Sequence, residues 1–327
     1  MLITDKRKAK LFKSLRVVML PYLPFTLGIE TGNICNLRCP LCPTGAQDTS
    51  MRRGFMDLVT FKNIIGQFKD SVSTLNLYSW GEPLLNPELV EMVKYAKKIK
   101  RNLRIITSTN LNVKNNSLLE GLISSEIDEI IVSCDGASRE AYSKYRVGGD
   151  YDLVIKNMSF LKELQKKYNS KTQIIWNFLV FRHNEHEIEA AKNKAHSLGV
   201  ELRLGKMRTF MKDEILKPHK ESIERYKEWI PDNQNYSAYD KEKNITRIKI
   251  KTCRKPWQEI SINWNGEVLP CCAVYGDEFS FGNIKEGSIK AIWNNSKYSA
   301  ARREILNSNK PASTICGICR DNGFMHM

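Results

Sequence analysis

The feature that most constrains the fold is an ordered alternation of short β-branched runs with helical stretches. The runs are Phe25–Thr31, Thr74–Tyr78, Leu103–Ser108, Glu129–Cys134, Gln173–Phe181 and Val200–Leu204. Helical stretches fall near Leu58–Phe68, Pro87–Lys100, Ser117–Ser125, Ser138–Tyr145 with Tyr151–Tyr168, and Glu185–Leu198. A strand covered on one face alternates apolar and polar residues. These runs are largely continuous, as in a parallel sheet covered on both faces. Six βα units in order predict an α/β protein built on a partial (β/α)6 TIM-like barrel. In such sheets chemistry gathers at the carboxyl ends of the strands. Asn86-Pro87-Glu88 reads as a helix start with Pro at the first helical position, and Gly199 as a helix stop.

The remainder follows other rules. Residues 206–250 are polar and partly helical at Glu221–Trp229, and read as a connector. After Cys253, the runs Ile260–Trp264 and Glu267–Leu269 flank Asn265-Gly266, a strong hairpin signal. Helices near Ile289–Asn295 and Ala300–Asn307 complete a small α+β module. The expected division is an arm at 1–23, the barrel at 24–205, the connector at 206–250 and the module at 251–327.

The chain has 327 residues, room for about two ordinary domains. Hydrophobic residues are 42% and charged residues 27%, which excludes a disordered or collagen-like chain. No apolar run approaches the roughly 18 residues of a spanning helix. Lys+Arg is 51 and Asp+Glu is 36, a net charge of +15. A third of that excess lies in residues 1–20, with Lys6, Arg7, Lys8, Lys10, Lys13 and Arg16 against Asp5. This arm reads as a short basic helix closed by Pro21, packing Leu11, Phe12 and Leu15 on the domain. Contact with an acidic carrier, nucleic acid or anionic lipid is the other reading. Arg16 interrupts the apolar run and no small-residue cleavage site follows it, so the expected compartment is cytoplasmic, where thiols stay reduced. Nine cysteines in such a protein point to metal ligands or catalytic groups rather than disulfides.

Cys35, Cys39 and Cys42 stand as C-x3-C-x2-C at the carboxyl end of the first strand. A structural zinc site needs four ligands, and no fourth Cys or His is near. A [4Fe–4S] cluster takes one thiolate per iron, so three would leave one iron open to a substrate or cofactor. The loop resembles the cluster motif of the radical S-adenosylmethionine (SAM) superfamily. Trp80-Gly81-Glu82-Pro83 after the second strand is similar to that family's Gly-Gly-Glu-Pro segment, with Trp80 in place of the first glycine. The resemblance implies that this segment (Gly81, Glu82, Pro83) meets the SAM amino group. It also implies that Asn110 approaches the cofactor, and that Ser133 and Arg146 hold its carboxylate. An arginine fork suits a carboxylate. Cys134 reads as a small apolar wall residue.

Cys253, Cys271, Cys272, Cys316 and Cys319 remain. They resemble the SPASM/twitch extensions of radical SAM enzymes, which hold auxiliary iron–sulfur clusters. The implied ligand set for one auxiliary [4Fe–4S] cluster is Cys253, Cys271, Cys316 and Cys319. Cys272 is the alternative to Cys271, since neighbours on a strand point to opposite faces. A structural zinc site is the competing reading of the same four. His183 and His186 read as surface histidines; Trp257, Trp264 and Trp293 read as core.

The resemblance implies reductive cleavage of SAM to a 5′-deoxyadenosyl radical that abstracts a substrate hydrogen. A single auxiliary cluster resembles the alcohol-oxidising type, acting on a sugar or cyclitol alcohol. Only about 24 residues precede the first strand, and no peptide-recognition domain is read there. Radical modification of a peptide is the alternative. A zinc protein binding nucleic acid is a more distant one. A small-molecule or peptide substrate and a flavodoxin or ferredoxin as reductant are the expected partners.

Overall fold

The computed structural model describes residues 5–49, 51–208, 216, 219–247, 253–307, 309 and 311–322. Strands β1 (Thr26–Ile29), β2 (Thr74–Asn76), β3 (Arg104–Thr109), β4 (Glu129–Ser133), β5 (Gln173–Val180) and β6 (Glu201–Lys206) pair in chain order, each parallel to the next. Helices between them cover the outer face. Leu27, Ile29, Leu75, Ile105, Ile130, Val132 and Trp176 are buried there with apolar helix residues such as Phe61, Met92, Leu122 and Leu161. This is the partial (β/α)6 barrel that the continuous β-branched runs predict.

The helix starts follow local chemistry. Asp57, Asn115, Ser138 and Asp150 each accept a hydrogen bond from the backbone N–H three residues on. Gly199 closes its helix with a left-handed φ of 67°, which glycine adopts without strain. Pro87 does not open its helix. The helix begins at Leu89, and the Asn86 side chain accepts from the Glu88 N–H in the preceding turn.

The small module does not stand apart from the barrel. Its first hairpin strand, β9 (Glu259–Ile262), pairs parallel to β1, and β10 (Val268–Leu269) closes the hairpin antiparallel, giving an eight-stranded sheet. This long-range pairing has no local sequence signal. Within the connector, a helix at His219–Arg225 precedes a two-residue ladder, β7 (Tyr239–Asp240) with β8 (Ile245–Thr246), which sequence patterning does not anticipate. The 250/251 boundary lies outside the described residues.

The N-terminal arm forms a helix, Asp5–Ser14, ending well before Pro21. Ala9 is buried and Phe12 packs at the core edge, whereas Leu11 and Leu15 are exposed. The expected packing therefore holds for Phe12 only. Lys8 and Lys13 lie over the rings of Tyr22 and Trp257. No helix among the described residues is long and apolar enough to cross a membrane.

Candidate active site

Cys35, Cys39 and Cys42 wall one cleft of about 190 Å³ at the carboxyl ends of β1 to β4. Tyr78, Trp80, Gly81, Glu82, Ser108, Asn110, Ser133 and Arg146 wall it with them. Of the residues predicted to meet the cofactor, only Pro83 does not reach this wall. It is buried at the start of the 3-10 turn Pro83–Leu85. The cysteine loop is tied from several sides. Glu82 N–H donates to the Ile34 carbonyl (2.9 Å), Arg38 N–H to the Val147 carbonyl (2.9 Å), and the Asn110 amide to Asn36 Oδ1 (2.9 Å). Leu37 N–H points at Cys35 Sγ (3.4 Å).

Gly81 explains why the turn kept this glycine when its neighbour became tryptophan. A Cβ at Gly81 would sit 2.2 Å from the Gly32 carbonyl oxygen, a backbone atom that cannot swing away. Gly81→Ala is therefore expected to push the turn off the cysteine loop and weaken SAM binding. Equilibrium dialysis checks this; wild-type affinity would contradict it. Trp80 uses its position differently. Thr44 Oγ1 donates to its carbonyl, and its ring meets Tyr275 of the small module edge-on at 5.2 Å.

The charges around the cleft are largely engaged. Glu82 is buried, and its carboxylate accepts from Thr109 Oγ1 (2.6 Å), Asn110 N–H (2.6 Å) and Leu84 N–H (3.0 Å). Burial pushes its carboxyl up and these donors oppose the shift. The Arg146 Nε donates to Asp135 Oδ2 at 2.6 Å, and its Nη1 lies 3.9 Å from Cys39 Sγ. Burial works against the Arg146 charge, but Asp135 and Cys39 outweigh it and hold the guanidinium well above its ordinary value. Ser133 Oγ lies 3.4 Å from Ser108 Oγ. Burial pushes the Cys35 thiol up to about 12 and Cys39 to about 11. Such thiols lose their protons when a metal replaces them.

Glu30, which sequence reading passed over, lies behind Trp80 and accepts from its N–H (3.4 Å). Burial pushes its carboxyl up to about 7, against hydrogen bonds from the Trp264 and Trp80 backbone. The unfolded chain holds this carboxylate near its ordinary 4.5, so folding binds a proton between those values and stability falls as pH rises through that window. The ionisation penalty grows by roughly 2–3 kcal/mol between about pH 5 and 8. Glu30→Gln is expected to raise the melting temperature at the upper pH far more than at the lower. A pH-independent effect would contradict it.

The second cysteine group also converges. Cys253, Cys271, Cys316 and Cys319 wall one small cavity, otherwise apolar apart from Lys255. Cys272 turns away from it toward Lys255 Nζ (3.8 Å). Cys316 and Cys319 sit one turn apart on the helix Ile315–Asp321. The Glu304 carboxylate fixes that helix by accepting from the N–H and hydroxyl groups of Ser313 and Thr314. Burial raises all four thiols, Cys319 to about 12. Four sulfurs with no carboxylate among the walls form a soft donor set of the kind iron–sulfur clusters use. Among the described residues, no group of three or more His, Cys, Asp or Glu is arranged to hold a metal ion.

Other expectations fare variously. Cys134 is fully buried, as are Trp257 and Trp293. His183 is not a surface histidine. It stacks on Phe181 (5.4 Å) and meets Trp229 edge-on (5.5 Å), and burial lowers its pKa to about 4.

A profile of the radical SAM superfamily matches residues 29–195, just over half of the chain. The chain belongs to the radical SAM superfamily. A second profile, the SPASM iron–sulfur cluster-binding domain, matches residues 253–320. This radical SAM enzyme is 24% identical over 310 residues to the AdoMet-dependent heme synthase of Methanosarcina barkeri, covering 87% of this chain and 85% of that one. BtrN in complex with AdoMet and 2-DOIA superposes with a TM-score of 0.54 at 16% identity, covering 91% and 93%. SuiB of Streptococcus suis bound to precursor peptide SuiA superposes with a TM-score of 0.62 at 14% identity, covering 97% and 74%. At these identities the structural likenesses show the fold. The radical SAM enzyme uses SAM and a [4Fe–4S] cluster, with auxiliary iron–sulfur in its SPASM domain. That domain replaces the zinc reading of the late cysteines.

Proposed function

We propose that this enzyme is an oxidoreductase that removes hydrogen from an alcohol of a sugar- or cyclitol-type substrate. The observation that carries this is the chemistry of the barrel interior. Tyr78, Ser108 and Ser133 face the cleft, so the two-residue period of a strand turns Asn76 the same way. Asn177 lies opposite Ser133 in register and shares its face. The side chains of Asn76, Tyr78 and Asn177 have no hydrogen-bond partner among the described residues. Neutral amides and hydroxyls offering both donors and acceptors suit a molecule rich in hydroxyl groups.

In this reading Cys35, Cys39 and Cys42 hold the SAM-binding cluster, and Cys253, Cys271, Cys316 and Cys319 hold one auxiliary [4Fe–4S] cluster. When bound and reduced, the first cluster and SAM together supply a 5′-deoxyadenosyl radical. Arg146, fixed by Asp135, and Ser133 present donors to the SAM carboxylate. The turn at Gly81 and Glu82 would receive the amino group, with Asn110 alongside, while the buried Pro83 shapes the turn from behind. Glu82 serves as a positioning residue, because its carboxylate is engaged in holding the turn to β3. The net oxidation takes one hydrogen atom from carbon, then one electron and the hydroxyl proton, and leaves a carbonyl. A flavodoxin- or ferredoxin-type reductant, a cytoplasmic setting and the division at 24–205, 206–250 and 251–327 belong to the same proposal.

The test uses sugars and cyclitols deuterated at the carbinol carbon. Deuterium arriving in 5′-deoxyadenosine supports the proposal. Peptide modification has its own support in the likeness to SuiB with its peptide, and deuterated peptides run in parallel. Transfer from peptides alone would overturn the alcohol reading.

A further inference from the structure

We propose that Lys255 sets the reduction potential of the auxiliary cluster, keeping it high enough for that cluster to take up an electron. This rests on the reading that Cys253, Cys271, Cys316 and Cys319 hold the cluster.

Lys255 is the one cationic residue among the walls of that cavity. It stands two residues from Cys253 in sequence, and its side chain lines the cavity beside Cys271. The side chain is held in place. Nζ lies 2.7 Å from both Glu259 oxygens and 3.8 Å from Cys272 Sγ, and the Lys255 and Glu259 side chains are only 11% and 13% exposed. The other non-cysteine walls (Pro256, Pro270, Val274, Ile305, Ile315) carry no charge.

A cubane on four thiolates is anionic, and reduction adds one more negative charge. Apolar walls alone make that step unfavourable, because burial penalises the more charged form. An adjacent buried cation offsets the penalty, and its effect is large because little water screens it. Net charge is one of the main levers a protein has on a cluster potential, and Lys255 supplies it. Glu259 works in the opposite sense by partly neutralising the ammonium. Lys13 also bears on Cys253 and Arg302 on Cys316, while each lies over a ring, Trp257 and Trp293 respectively; neither lines the cavity.

The pair has a second neighbour. Tyr78 of the catalytic cleft interacts electrostatically with Cys272, Glu259 and Lys255. The Lys255–Glu259 pair thus neighbours both the auxiliary cavity and a wall residue of the cleft.

The test is an EPR-monitored redox titration of the full chain, with Cys35, Cys39 and Cys42 replaced by alanine so that only the auxiliary cluster is read. Lys255→Gln is expected to lower the midpoint so that the reduced-to-oxidised ratio at fixed potential falls tenfold or more, 59 mV for one electron. Lys255→Arg keeps the charge and is expected to stay near the parent. Glu259→Gln is expected to move the midpoint upward. Lys13→Gln, a more distant charge, is expected to shift it less than Lys255→Gln. An unmoved midpoint in Lys255→Gln with its four irons retained overturns the proposal and leaves the cluster reading intact. A downward shift in Glu259→Gln overturns it as well. A parent background that binds no four-iron cluster overturns the cluster reading and the proposal together.

Discussion

Replacing Cys39 with alanine is expected to lower iron from about eight to about four per chain, from two four-iron clusters to one. It is also expected to abolish 5′-deoxyadenosine formation. The substitution removes only a sulfur from a side chain 6% exposed, so the fold should survive it. What it takes away is one of three thiols on a loop that leaves no slack. The loop is pinned at Ile34, Asn36 and Arg38, and Gly45 packs so closely that a Cβ there would lie 2.5 Å from the backbone of Cys39. No neighbouring ligand can move in, since the loop carries no other cysteine or histidine. Arg146 would lose its sulfur neighbour but keep Asp135. Iron analysis and chromatography of the SAM products check this. A Cys39→Ala protein with full iron and active SAM cleavage would remove this loop from the catalytic role.

Under the proposed alcohol oxidation, Cys316→Ala is expected to separate SAM cleavage from product formation. SAM cleavage in the barrel should continue, because its cleft shares no wall residue with the auxiliary cavity. Oxidised product per 5′-deoxyadenosine should fall to near zero, because the proposed acceptor of the electron left on the substrate is gone. Iron should fall to about four per chain here too, from the other site. The helix itself is secured by Thr314 as its cap and by Glu304, neither of which touches the thiol, so unfolding is not the expected cause. A variant that loses its auxiliary iron yet makes the same product yield would refute electron acceptance and leave the cluster a structural part.

Much of this was legible in order along the chain. The six strands and the helices between them are where β-branching and helical spacing put them, because those signals act over a few residues. The cysteines of the small module were legible as residue types, but strand alternation does not govern Cys271 and Cys272: β10 ends at Leu269 and both lie in the turn beyond it, with Cys271 on the cavity wall. What local pattern missed shares one cause. The pairing of β9 with β1, the edge-on contact of His183 with Trp229, and the engagement of Glu82 by Thr109 and Asn110 all depend on contacts distant in sequence. Trp80 is the clearest case. A departure from the family's glycine pattern at the turn becomes intelligible only beside Tyr275, almost two hundred residues later.

By itself, the sequence determined the barrel and the three-cysteine loop. Strand period, helix spacing and C-x3-C-x2-C are local, and the chain's own covalent geometry keeps such neighbours together. Tertiary structure alone decided which distant residues share a cavity. The hairpin's place on β1 and the packing of the helices Ser296–Leu306 and Ile315–Asp321 bring Cys253, Cys271, Cys316 and Cys319 to one cavity, with Lys255 against Glu259 beside them. Closing such long loops is favourable only when buried apolar surface outweighs the entropy lost, so their meeting point is a property of the whole core.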